Sequence, residues 1–337
     1  MKSRAITFGA IVLSLASGCQ ADSEKEKELV AENGSVDITE WQVPYEKTRP
    51  RDPFVDTLGR VWFCGQAGAY IAYLVPETGK FKKFDLADGA SPHNLIIAAD
   101  DGVWYAANTL PYIGQMDPVT GAVHKYPMPE PVTDPHTLVF DSIGNIWFTA
   151  QRSNHVGRLD TQSGTVDVIE IPVASSRPYG IKVGPDDHPW IVLFGTNKLA
   201  TVDPETMQLE LVDLPRAETR PRRLEITANG LIWYGDYAKG VLGRFNPKTR
   251  EVSEWPMPGG EGARPYGTAL DDRGRIWLAE GGSPNRLSTF DTSAEQFVHV
   301  TDVPKALGSI RHMYFHPATR EIWFGEDSNY VGRARIR

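Results

Sequence analysis

From residue 36 to the end, short apolar runs alternate with polar corners, and the alternation itself repeats along the chain. In each repeat an extended run reaches a corner such as Asp100-Asp101-Gly102. It then returns through an apolar run built around a Trp, as in Asn145-Ile-Trp-Phe-Thr149 and Arg275-Ile-Trp-Leu-Ala279. Runs this short, rich in β-branched and aromatic residues and bounded by turn formers, predict strands and not helices. Trp residues at 62, 104, 147, 190, 233, 277 and 323 keep the same place in successive repeats, spaced by 42 to 46 residues. A period of that length made of short strands marks a propeller blade. The chain is therefore predicted to be all-β, a seven-bladed β-propeller over residues 36–337.

Aligning the repeats on Trp predicts four strands per blade. The innermost starts about eleven residues before the Trp (His93 to Ala98, His136 to Phe140) and pairs with the Trp strand. A third strand reads His155-Val-Gly-Arg-Leu-Asp160 or Val241-Leu-Gly-Arg-Phe-Asn246, and a fourth ends in Pro, as in Val166 to Pro172 and Val252 to Pro256. The last repeat stops at its third strand, Tyr330 to Ile336, while an orphan fourth strand, Val36 to Pro44, precedes the first repeat and resembles Glu251 to Pro256. Pairing the orphan with the last blade is expected to close the ring and remove an exposed sheet edge.

Charge and cysteine usage narrow the partners. A formal net charge of −8 argues against nucleic acid, whose phosphates need a basic surface. Lys2 and Arg4 precede an apolar stretch, Ile6 to Ala16, and Ala16-Ser17-Gly18-Cys19 resembles a bacterial lipobox. That pattern predicts a signal peptide over 1–18, lipid on Cys19, an acidic tether over 19–35 and anchoring at the periplasmic face of the outer membrane. Cys64 is the other cysteine. It stands where other repeats carry mostly small residues, and it is expected to be a buried apolar group.

Function in such a ring usually gathers where the inner strands begin. Counting eleven residues back from each Trp gives Arg51, His93, His136, Tyr179, Arg222, Tyr266 and His312. Pro precedes six of these, and Arg311 breaks the series. Arg49, Arg177, Arg220 and Arg264, with Asp134, stand one residue earlier still. Three residues after each Trp the chain is expected back at the same end, with carboxylates in adjacent blades at Asp236, Glu280 and Glu326. A polar cluster at one concave mouth predicts a binding or active site. If these carboxylates hold no metal, Arg222 and Arg264 are expected to compensate two of them and keep them ionised. His93, His136 and Asp134 form a further candidate set for a transition metal.

The phrases Arg177-Pro-Tyr-Gly-Ile181, Arg264-Pro-Tyr-Gly267, Ile146-Trp-Phe-Thr149, Val156-Gly-Arg-Leu159 and Glu254-Trp-Pro-Met-Pro258 resemble the repeats of the virginiamycin B lyase (streptogramin lyase) family, over residues 36–337. The resemblance implies a carbon–oxygen lyase that opens a cyclic depsipeptide by elimination with Mg²⁺. It places a catalytic base at His312 and a metal carboxylate at Glu326. The family's second metal carboxylate is here Ile310, its His in the preceding blade is Tyr266, and its aromatic hydroxyl in the first blade is Arg51; Glu280 is the substitute ligand. Two alternatives stand beside the lyase. One is a non-catalytic propeller holding an anionic ligand or an acidic partner segment at its Arg-rich mouth, and the other is a lactonase-like hydrolase. The chain is expected to act as a monomer on a small molecule.

Overall fold

Each Trp-centred phrase folds as the second strand of a four-stranded antiparallel sheet, and the described residues form seven such sheets. The computed structural model describes residues 36–46 and 48–336; the expectations for residues 1–35, Cys19 included, lie outside them. Blade 3 shows the pattern, with strands Pro135–Phe140, Ile146–Ala150, His155–Leu159 and Val166–Glu170 in that spatial order.

Two recurring details explain why these phrases make blades. The aromatic residue after the Trp lies over the Gly of the third strand, Phe148 opposite Gly157 and Tyr234 opposite Gly243. A Cβ on either Gly would collide with that ring, so the close approach requires Gly. At the preceding turn an Asp carboxylate accepts from turn backbone and from the Trp indole: Asp56 from Trp62 at 2.7 Å, Asp141 from Trp147 at 3.2 Å and Asp271 from Trp277 at 3.0 Å. The buried Trp is thus fixed in orientation by a residue six positions earlier. Cys64 is fully buried, and burial pushes its thiol well above the usual range, which keeps it unreactive.

The ring closes as expected. Val36–Gln42 pairs antiparallel with Tyr330–Ile336, in register from Val36 opposite Ile336 to Gln42 opposite Tyr330. Trp41 stacks on Trp323 at 5.5 Å, and Asn329 Nδ2 donates to the carbonyls of Val43 and Tyr45. The last blade is therefore built from both ends of the propeller, and the edge of Tyr330–Ile336 is covered by the closing strand.

Candidate functional site

Six of the seven inner strands share one register, in which the residue eight before the Trp faces it: Phe54, Ile96, Val139, Lys182, Glu225 and Ala269. In blade 7 Tyr314, nine residues before Trp323, takes that place, because its turn is one residue longer. Counting from Trp323 thus overshoots by one. The structure puts Arg311 in line with Arg222, and His312 in line with Arg223 one layer deeper. The signal was present in sequence: Arg311 broke the Pro series because Ile310 is the residue in the Pro register.

The ring side chains do not line an open mouth. Arg51, His93, His136, Tyr179 and Tyr266 are each at most 4% exposed, and together they form a waist that closes the channel. The imidazoles of His93 and His136 lie 3.5 Å apart, tilted by 34°, and His136 meets the edge of Tyr179 at 4.3 Å. The hydroxyls of Tyr179 and Tyr266 are hydrogen-bonded to each other. The Arg222 guanidinium lies 3.5 Å from the Tyr266 ring centre and within 5.2 Å of those of Tyr237, Phe194 and Tyr179, a cation in an aromatic cage. Arg311 is held by Asp327 through two bonds of 2.8 and 2.6 Å.

Electrostatics at the waist follow from burial and from these arginines. Burial lowers the pKa of His93 and His136 well below the ordinary value, and the arginines lower it further, so both imidazoles are neutral. Burial opposes ionisation of Tyr266, yet Arg51, Arg222, Arg311 and Arg223 outweigh it and bring the phenol down to about 7. Asp52 answers two of these cations. It lies 3.7 Å from Arg51 Nε and 3.4 Å from Arg223 Nη2, and it accepts a 2.8 Å bond from Asn94. Burial would raise its pKa, but His312, Arg223, Arg51 and the Asn94 bond hold it below the usual carboxylate range. Burial brings His312 down to about 3 against the pull of Asp52.

The carboxylates expected to converge with His312 instead turn into their own blades. Asp236 accepts the backbone N–H of Arg220, Ala238 and Lys239 and pairs with Arg216 at 3.0 Å. Glu280 is bound by Arg286 at 2.6 Å and by the Ser288 hydroxyl. Glu326 faces Ser328 and Glu40 of the closing strand, and burial together with Glu40 raises its pKa to about 8. The expectation that Arg222 and Arg264 hold these groups is corrected accordingly. Asp134 likewise turns away from His93 and His136, capping the backbone of Arg152 and Ser153. Among the described residues no group of three His, Cys, Asp or Glu is placed to hold a metal.

Two cavities flank the waist. The upper, of about 300 Å³, is lined by Tyr237, Arg264, Tyr266, Glu280, Asn285 and Ser309, with glycine backbone at 262, 281, 282 and 308. The lower, of about 290 Å³, is walled by Phe54, Ile97, Phe140, Leu224 and Tyr314, with Arg223 and His312 among its polar groups.

Fold and site together define a seven-bladed propeller whose channel is shut by a cationic and aromatic waist between two small cavities. The chain belongs to the virginiamycin B lyase family, whose model matches residues 24–287. It is similar to a streptogramin B lyase structure at 22% identity and a TM-score of 0.81, covering 90% of this chain and 98% of that one. It is similar also to virginiamycin B lyase from Staphylococcus aureus at 22% identity and a TM-score of 0.79, covering 90% and 100%. A catalytically inactive form of the S. aureus enzyme with quinupristin matches to the same extent. No curated protein matches the chain. The residues present do not fit the family's Mg²⁺: Ile310 offers no donor, Glu326 faces Glu40, and Glu280 is committed to Arg286 and Ser288.

Proposed function

We propose that this propeller binds a small polar anion, a carboxylate or comparable oxyanion, in its upper cavity without Mg²⁺. One observation carries the reading: a mismatch of charge around that cavity. Glu280 is neutralised by Arg286 and Asp327 by Arg311, whereas Arg264 on the wall and Arg222 behind Tyr237 and Tyr266 have no carboxylate partner among the described residues. Uncompensated guanidiniums beside a cleft of exposed backbone are a receptor for an oxyanion. Calorimetry with a panel of small dicarboxylates tests it. Saturable binding that survives EDTA and is lost in Arg264→Ala supports the proposal, and the absence of any binder, or binding indifferent to Arg264→Ala, overturns it.

The lyase reading with His312 as base is checked on the same protein. Linearisation of virginiamycin B that requires Mg²⁺ and disappears in His312→Ala would replace our reading; no turnover is the expected result. A second reading has an observation of its own: the Tyr266 hydroxyl meets that of Tyr179 and lies 3.5 Å from Arg311 Nη1, with Arg222 3.5 Å from the ring centre, surroundings that lower its pKa and favour the phenolate. Such a group is suited to accept a proton from a bound substrate and so favours an eliminative or hydrolytic enzyme. Tyrosinate absorbance that rises around pH 7 in the parent and is missing in Tyr266→Phe supports that role; identical titrations exclude it. Lipid attachment at Cys19 and a periplasm-facing outer-membrane location belong to the proposal on sequence grounds. Palmitate labelling lost in Cys19→Ala is the expected outcome.

A further inference from the structure

We infer that the lower cavity is a second binding site, separate from the upper one, for a compact apolar molecule carrying one carboxylate, such as an aromatic monocarboxylic acid. Three observations below the waist lead to this. The first is shape and polarity: Phe54, Ile97, Phe140, Leu224 and Tyr314 contribute apolar wall to a space of about 290 Å³. That is room for a single ring and its substituent at the lower end of ligand-sized pockets.

The second is charge. Arg223 shares the single carboxylate of Asp52 with Arg51 of the waist, and Asp52 also accepts from Asn94, so the Arg223 guanidinium is only partly compensated. Lys182 and Glu225, on the cavity wall, cancel each other at 3.0 Å, and Glu225 also accepts from Thr268 at 2.8 Å. Arg223 Nη1 also donates to the Thr137 hydroxyl at 3.4 Å, but among the described residues no carboxylate other than Glu225 lines that wall.

The third is hydrogen bonding. Arg223 Nε and His312 Nδ1 are buried without a partner among the described residues, on side chains 4% and 7% exposed. Buried polar atoms are normally satisfied, and leaving one open is costly. A carboxylate is acceptor-only, and Arg223 together with the N–H of a neutral imidazole offers donors to it. The ring then occupies the apolar half, where it removes surface from water.

Benzoate and its neutral isostere benzamide are the probes, titrated into the full chain by calorimetry. Expected are saturable benzoate binding and benzamide binding at least about tenfold weaker. Two variants locate the site while keeping both members of the Arg223–Asp52 pair. Val139 also lines this cavity, so Val139→Phe fills it from its wall and is expected to abolish benzoate binding. His312→Phe keeps shape and removes the unpaired nitrogen, so the melting temperature should hold or rise while benzoate affinity falls by about tenfold. Arg264→Ala, which disables the upper cavity, should leave benzoate binding unchanged, so either proposal can fail alone. Absence of saturable binding, equal binding of benzamide, indifference to Val139→Phe or His312→Phe, or loss in Arg264→Ala would each overturn the inference.

Discussion

Blades 5 and 7 carry nearly the same outer layers, yet one is a continuous piece of chain and the other is assembled across the chain's two ends. In blade 5 Trp255 stacks on Trp233 at 5.4 Å and 28°, with Arg244 within 5.4 Å of both rings. In blade 7 Trp41 stacks on Trp323 at 5.5 Å and 26°, with Arg333 within 5.7 Å of both. The split blade thus repeats the geometry of the intact one although its fourth strand, Val36–Gln42, pairs with Tyr330–Ile336 at the far end of the sequence. The inner layers differ. Blade 5 presents Arg222 and Arg223 to the channel and neutralises Asp236, whereas blade 7 presents Arg311 and His312 and sets Glu326 against Glu40. Sheet geometry copies itself readily between blades, while charge does not.

The comparison breaks most severely if the seam is opened. Deleting residues 36–44 removes a whole strand pairing and the Trp41 stack, and it exposes the edge at Tyr330–Ile336. We expect loss of most of the roughly 5–15 kcal/mol that holds a domain together. The cooperative thermal transition should disappear or fall far below that of the parent; a melt within a few degrees of the parent would show that the split blade does not need its fourth strand.

Single side chains then weigh the two blades against each other. Trp41→Ala and Trp255→Ala should each cost about 3 kcal/mol in chemical denaturation, given stacking and partial burial. Equal losses mean the seam is as tight as a continuous blade, and a much smaller loss for Trp41→Ala means that it is not. Asp236→Asn should cost a similar amount at neutral pH, because Arg216 and three backbone N–H groups lose their anion. Glu326→Gln should do the opposite above neutrality. The folded state holds the Glu326 proton more tightly than the unfolded chain does, about 8 against 4.5. That advantage is complete below pH 4.5 and is lost as pH rises through 8. Thermal melts should therefore show little difference at pH 4.5 and a gain of at least about 1 kcal/mol for Glu326→Gln at pH 9.

What the sequence revealed follows the same division. The Trp spacing, the Gly of the third strand and the orphan Val36–Pro44 strand each report local sterics or pairing, and all were readable in one dimension. Six of the seven waist residues were readable too, because a ring of equal blades needs only a constant offset. His312 was misplaced by one extra turn residue, although Ile310 in a Pro register announced it. The carboxylates were misread for a different reason. Whether Asp236, Glu280 or Glu326 turns to the channel or into its blade depends on Arg216, Arg286 and Glu40, partners that only the folded sheet brings alongside. The same holds for Asp52, whose partners Arg223 and Asn94 come from other blades.

The smallest test concerns a feature the two blades lack together. Trp233 Nε1 and Trp323 Nε1 are buried without partners among the described residues, because neither turn carries the Asp that serves Trp62, Trp147 and Trp277. In blade 5 the remedy is one substitution. Thr227 occupies the turn position of Asp56, and its backbone N–H bonds Leu231 as that of Asp56 bonds Arg60. Thr227→Asp should satisfy the Trp233 indole and raise stability by about 1 kcal/mol, read from the shift in denaturation midpoint. In blade 7 the matching position is His316, which continues the strand ladder opposite Glu321, and the turn that follows has a different length. An Asp there lies in another register from Trp323, so His316→Asp should gain nothing. Equal stabilisation of both blades would mean that turn length does not control where the carboxylate points, and the one-residue offset that places His312 below the waist would lose its physical basis.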